Sequence, residues 1–478
     1  MTYELKPYPI YKDSGVPWLG KLPEHWHLRR LRNVTEMRVS NVDKHSKEDE
    51  QPVRLCNYVD VYKNDRIRCR MPFMRATAGS AEISRFRLQK GDVLITKDSE
   101  AWNDIGVPAL VEESADDLIC GYHLALLRPF ANGILGDYLF RALQSTGVAY
   151  QFHVEANGVT RYGLSHSAIK SIWLPFPPLP EQAAIVRFLD FADRRIGRYI
   201  RAKQKLIKLL EEEKQVVIHR AVTCGLNPNV NFKPSGVEWL GEVPEHWEMV
   251  PNRALLRLEK RLVGKASGDY LLLSLTKRGV IPRDMENPEG KFPTSFDTYQ
   301  EINSGDLVFC LFDIDETPRA VGLSKLHGMI TSAYTRLSCD PSVVDWVHFF
   351  YLAMDNGKRL KPLYTGLRKV ITKSVFLSAK MPLPPVSERG SILAYVEASN
   401  VTAEAAIDRA RREIDLLREY RTRLIADIVT GKVDIREASA TLPDELEAET
   451  LEGKDVLQEE EEVSGDDEVE GSVEEVEI

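Results

Sequence analysis

Two groups of carboxylates invite a catalytic reading. Asp313-Ile-Asp315-Glu316 gathers three acids in four residues, and Gly91-Asp92 precedes Lys97. A hard cation needs more convergent oxygens than the first group offers, and a solvated turn before Pro318 explains it as well. A nuclease core would need a carboxylate two residues before Lys97, where the chain has Ile95. The Gly-Asp pair recurs as Gly305-Asp306, followed by Leu-Val-Phe-Cys-Leu with no lysine, so a turn leading into a buried strand fits both copies better. The sequence has no GxxxxGK[ST] loop, HExxH, GxSxG or CxxC, and its ten histidines do not cluster at ligand spacing. The expectation is no catalytic residue and no metal site.

The net charge of −9 is unevenly spread. Residues 444–478 hold 17 Asp/Glu and one lysine, which leaves 62 of 63 Lys+Arg against 55 of 72 Asp+Glu in the rest of the chain. A mildly basic body permits a nucleic-acid partner without proving one. The 43% apolar content is normal for a folded soluble protein, and 478 residues should form two or more domains. Six scattered cysteines fit reduced thiols in the cytoplasm. MTYELKPYPIYK has no apolar core, and no run of 18 apolar residues occurs, so neither a signal peptide nor a membrane span is expected.

Any loop chemistry must be positioned by two long helices. Pro180 to Gly225 reads as one helix, with Pro180 and Glu181 suited to its first turn and Gly225 to its end. Ile196, Ile200, Lys203, Ile207, Leu210, Lys214, Val217 and Ala221 form a heptad seam. The seam returns 207 residues later as Ala403, Ile407, Ala410, Ile414, Leu417, Arg421, Leu424 and Ile428. The plain inference is an intramolecular antiparallel coiled coil, a rod of roughly 60 Å at ~1.5 Å per residue.

A second repeat, SGVPWLGKLPEHW at 14–26 and SGVEWLGEVPEHW at 235–247, precedes two regions of differing sequence. Its tryptophans are read as packing against the following domain rather than stacking on a ligand. Val93–Ile95 and Leu118–Leu127 read as strands and Asp137–Ser145 as a helix, so the heads are expected to be α+β. Arg66, Arg68, Arg70 and Arg75 are read along one strand, as either a basic or a simply solvated face. The expected divisions are 1–178, segment and first head; 179–226, first long helix; 227–385, repeated segment and second head; 386–437, second long helix; and 438–478, an acidic disordered tail.

SGVPWLGKLPEHW, the PPLPEQ entry into a long helix, the HRAVTCGL exit, and LIADIVTGKVDIRE in the second copy resemble the specificity subunit of type I restriction–modification systems. The resemblance covers about residues 11–437, and the order and duplication of the motifs carry it. It implies two target recognition domains, each reading a half-site of duplex DNA, on a coiled coil that sets the unspecified spacer. It implies a non-catalytic chain with no cofactor of its own. Two methyltransferase subunits using S-adenosylmethionine and two restriction subunits using ATP and Mg would be its partners, with no membrane involved.

Phosphates call for Lys, Arg and backbone amides, and base edges for polar side chains on reaching loops. The expected DNA contacts are Lys97, Ser99, Trp102 and Asn103; Thr160, Arg161 and Tyr162; and Thr365, Arg368 and Lys369. Arg161 falls on Arg368 at the 207-residue offset, which suits phosphate anchoring, although surface pairing with a nearby acid would also account for both. Tyr122 and His123 are left out as core-edge groups. The divergent heads imply an asymmetric bipartite site. A protein-binding coiled-coil adaptor without DNA specificity is the alternative. The acidic tail is read as solubilising, with DNA mimicry or partner binding as the other possibility.

Overall fold

The structure, a computed structural model, describes residues 5–48, 50–131, 133–283, 295–364 and 369–443. The acidic tail beyond 443 lies outside these residues. The chain is α+β, with two long helices of 46 residues (Leu179–Cys224) and 44 residues (Val386–Val429). Glu181 and Glu388 occupy their first turns, where a carboxylate meets the positive end of the helix dipole. Gly225 and Gly431 follow their ends at φ 74° and 69°, a conformation that glycine adopts without strain.

Every seam residue is buried or half-buried, while most positions between them are exposed. The polar seam positions are satisfied across the helix pair: Arg421 Nε donates to Asp193 at 3.0 Å and Lys214 Nζ to Glu404 at 2.6 Å. Arg411 lies 3.5 Å from Glu211, so partners fall along one helix as they rise along the other, the antiparallel arrangement. Among the described residues, no helix is long and apolar enough to cross a membrane.

The chain divides into two compact units, one holding residues up to 202 with those from 412, the other 203–411. The first unit carries a five-stranded sheet in the order Thr35–Val39, Leu124–Pro129, Val93–Thr96, Pro108–Val111, Arg66–Ile67, antiparallel except for its last pair. A three-stranded sheet (Leu118–Cys120, Gln51–Cys56, Met74–Ala78) shares a core with it. Its other core joins the helices Gly136–Gln144 and Thr146–Glu155 to both long helices. The second unit has a four-stranded sheet, Leu256–Leu258, Thr335–Cys339, Leu307–Phe309, Val321–Leu323, backed by the helix Val344–Asn356.

The Gly-Asp pairs are structural in both units. Gly91 (φ 90°) and Gly305 (φ 92°) make the turn, and the strand after each is fully buried. Asp92 takes two contacts from Arg128, at 2.6 and 2.8 Å. Asp306 has Arg336 Nε at 2.8 Å, in ion-pair contact but not aligned as a hydrogen bond. A buried carboxylate persists only when so paired.

The repeated segments clamp the helix pair. In the first unit His25 Nε2 lies 2.9 Å from Glu181, at the start of the first long helix. Pro23 and buried Trp26 pack on Gly431, after the end of the second; a Cβ on Gly431 would meet Pro23 at 2.4 Å. In the second unit the roles exchange. His246 lies 2.7 Å from Glu388, at the start of the second helix, and Trp247 packs on Gly225, after the end of the first.

Two expectations need correction. Arg66 to Arg75 is not one strand: Arg66–Ile67 and Met74–Ala78 belong to different sheets, with a turn between. Arg66 pairs with Asp190 at 2.9 Å and Arg68 with Glu112 at 2.6 Å, which neutralises those cations. Leu118–Leu127 likewise splits at Gly121-Tyr122-His123, where His123 adopts φ 70° and the chain crosses from one sheet to the other.

Candidate nucleic-acid interface

Two stretches far apart in sequence form one small sheet in the first head. Asp98–Ser99 pairs antiparallel with Tyr162–Gly163, which pairs with Asn157–Gly158. Tyr162 lies opposite Ser99, and the Leu164 amide donates to the Lys97 carbonyl at 2.9 Å. Gly158 is needed for the tight hairpin, because a Cβ there would sit 2.0 Å from the Arg161 carbonyl oxygen. Lys97, Thr160, Arg161 and Tyr162 thus lie on one small sheet, with Thr160 and Arg161 exposed at the hairpin tip, whereas Ser99, expected as a DNA contact, is buried and its hydroxyl accepts from the Ala101 amide at 3.2 Å.

The split strand delivers two more groups. His123 Nδ1 lies 2.6 Å from Asp98 Oδ2, and Lys97 Nζ lies 3.2 Å from the same oxygen. The Tyr122 ring meets His123 edge-on at 4.0 Å and is 48% exposed. The sequence places Asp98 in this polar loop without singling it out, and Tyr122 and His123 are set aside there. The Gly121-Tyr-His break within an apolar run was the available signal, since such a dipeptide after glycine suits a crossover better than a continuous strand.

Trp102 and Asn103 lie elsewhere on the same loop. Trp102 is 46% exposed and meets His153 edge-on at 6.2 Å. Asn103 lines a cavity of about 250 Å³ together with Asp65, Gln144, His153 and Arg421. Arg421 donates to Asp65 at 2.6 Å, and Arg141 bonds Asp190 and Asp193 of the first long helix, at 2.5 and 2.6 Å. This network anchors the head to the helices within the unit.

The second head repeats the pairing with other side chains. The Ile371 amide donates to the Leu311 carbonyl at 2.7 Å, Asp313 N donates to Lys369 O at 2.7 Å, and Phe312 bridges Val370. Leu164 to Lys97 and Ile371 to Leu311 are the same hydrogen bond, since the donors differ by 207, as the long helices do, and the acceptors by 214, as Gly91 and Gly305 do.

The side chains there are acidic. Lys369 Nζ lies 3.3 Å from Asp315 and also bonds Glu316, and Tyr364 donates to Asp315 at 2.8 Å. The Tyr364 hydroxyl, with Lys369, holds the Asp315 carboxyl below its usual range. Burial and the bond to Asp315 push Tyr364 up to about 12. Lys369 is thus held by carboxylates in the free chain, the ion-pair alternative. Thr365 and Arg368 lie outside the described residues. Among the described residues no group of three or more His, Cys, Asp or Glu is arranged to hold a metal.

Residues 23–209 match the family described as type I restriction modification DNA specificity domain. Two relatives come from Methanocaldococcus jannaschii. A putative type I restriction enzyme MjaX specificity subunit is 23% identical over 89% of this chain and 98% of its own. The type I restriction enzyme MjaVIII specificity subunit is 25% identical over 64% of this chain and 72% of its own. A solved structure reported for the assembly and conformational transition of a type I restriction–modification system covers 85% of this chain and 98% of its own, at 15% identity and TM-score 0.58, a likeness of fold.

Fold and matches together describe two α+β heads on an antiparallel helix pair, similar to the DNA-specificity class of proteins. Residues 23–209 thus match the DNA specificity domain of type I restriction–modification systems, and over most of its length the chain is similar to a specificity subunit of such a system.

Proposed function

We propose that this chain supplies sequence specificity to a type I restriction–modification complex by reading an asymmetric, bipartite DNA site. Each head reads one half-site, and the helix pair sets the spacer. The reading rests on one observation: the same backbone pairing recurs in both heads, presenting Lys97, Arg161 and Tyr162 in one and Asp315, Glu316, Tyr364 and Lys369 in the other. An equivalent platform with unlike side chains is what two readers of different half-sites require. Arg161 serves as a phosphate anchor, and Thr160, Tyr162 and Tyr122 supply groups for base edges. In the second head Lys369 must exchange its carboxylates for phosphate when DNA binds.

The chain would recruit two methyltransferase subunits using S-adenosylmethionine and two restriction subunits using ATP and Mg, in the cytoplasm. The test is co-expression with the cognate methyltransferase subunit in a methylation-free host, followed by genome-wide mapping of methyladenine. Two short specific halves around a fixed unspecified spacer support the proposal. A continuous or palindromic motif overturns it. Absence of both methylation and DNA binding favours a protein-binding adaptor.

A further inference from the structure

The duplicated helices differ on one face. Opposite the seam, the first long helix carries Arg187, Arg194, Arg198 and Arg201, within about 60° of one another at 3.6 residues per turn. Lys205 and Lys208 continue the spacing. Arg194, Arg198 and Arg201 are exposed, and the one acid on this face, Asp190, is taken up by Arg66 and Arg141. At the 207-residue offset the second helix has Ala394, Val401, Ala405, Asp408, Arg412 and Asp415, so only one of six is basic. The helix pair itself explains the seam but not this row, which occurs once.

The 17 acids of residues 444–478 also occur once. The described chain arrives beside the row: Leu442 is buried in the first unit's core, and Arg187 donates to the Leu442 and Pro443 carbonyls at 2.9 and 3.3 Å. Asp444, Glu445, Glu447 and Glu449 come next. From Arg187 to Lys208 the row spans about 32 Å at ~1.5 Å per residue, a length that ~10 extended residues cover at ~3.3 Å each.

We propose that the acidic segment 444–478 docks in cis along this arginine row, as a built-in polyanion that competes with phosphate and lowers sequence-independent DNA binding. Charge complementarity, the single occurrence of each partner, and the Arg187 clamp where the segment begins carry the assignment. The occupancy does not depend on what the heads read.

The test is carbodiimide cross-linking of the full chain, which joins a carboxylate to a lysine amine as an amide while the reagent takes up the water, followed by peptide mass spectrometry. The expected links run from the segment to Lys205 and Lys208. They should be lost in 1 M salt, where the Debye length is about 3 Å, and in an R194E/R198E/R201E variant. Links spread over lysines of both heads, or unchanged in that variant, overturn the docking. A second arm uses the full chain with the segment's carboxylates replaced by amides. Random-sequence duplex at low salt should bind about tenfold more tightly, with a salt slope steeper by about 3 for three further phosphate contacts. Unchanged affinity and slope overturn the competition.

Discussion

Removing one heptad from each long helix tests whether the helix pair measures the spacer. Lys208–Lys214 and Glu404–Ala410 are a suitable pair of deletions, because Lys214 faces Glu404 and Glu211 faces Arg411. Removing seven residues from both preserves the seam and the antiparallel partnership, and shortens the axis by about 10 Å at ~1.5 Å per residue. Taking ~34 Å per turn of 10–10.5 base pairs, this equals about 3 base pairs of spacer. The same 3 base pairs turn one half-site by about 100° around the duplex, so methylation should also weaken. The assay is methyladenine mapping with the cognate methyltransferase subunit. Both half-sites should keep their sequence while the spacer contracts by about 3 base pairs. An unchanged spacer at unchanged methylation refutes the measuring role of the helices.

Three further outcomes follow. Arg161→Ala should weaken binding alike on all sequences and reduce the salt slope by about 1, as expected of a phosphate contact, read by anisotropy across a salt series. Asp92→Ala leaves Arg128 without its carboxylate at a buried site and should cost about 3–5 kcal/mol in denaturant unfolding. Burial lowers the half-buried His348 to about 4. Its contribution is therefore complete above the ordinary value near 6.5 and is lost as pH falls from about 6.5 toward 4. His348→Gln should flatten the stability curve in that window by less than about 3 kcal/mol, because the ring keeps some contact with water.

The helix pair was legible because a heptad seam repeated at one offset constrains both copies at once. The Gly-Asp turns were legible for the same reason. The heads were harder to read, since their contacts join residues with no local signal. Arg66 looked like part of a basic strand until Asp190, 124 residues away, claimed it. The reading of Lys369 could not anticipate its capture by Asp315 and Glu316, more than fifty residues earlier. The interface in the first head was half legible: both loops were identified, but their union through Ser99 and Tyr162 was not. His25–Glu181 and His246–Glu388 were missed although the duplication contains them, because the histidines recur at 221 and the glutamates at 207.

The exchange of roles between the two clamps bears on chain order. The first segment closes the end of the second long helix, and the Asp434 amide donates to the Lys6 carbonyl at 2.7 Å, so the start of the chain lies against the stretch after that helix. In the middle of the chain, Asn227–Lys233 makes the matching passage from the end of the first helix into the second segment by covalent connection. The same junction between a helix end and a repeated segment is thus made by peptide bonds in one unit and by contacts in the other. A circular permutant with a short linker from Pro443 to Leu5 and new ends near Asn229 should fold to the same architecture.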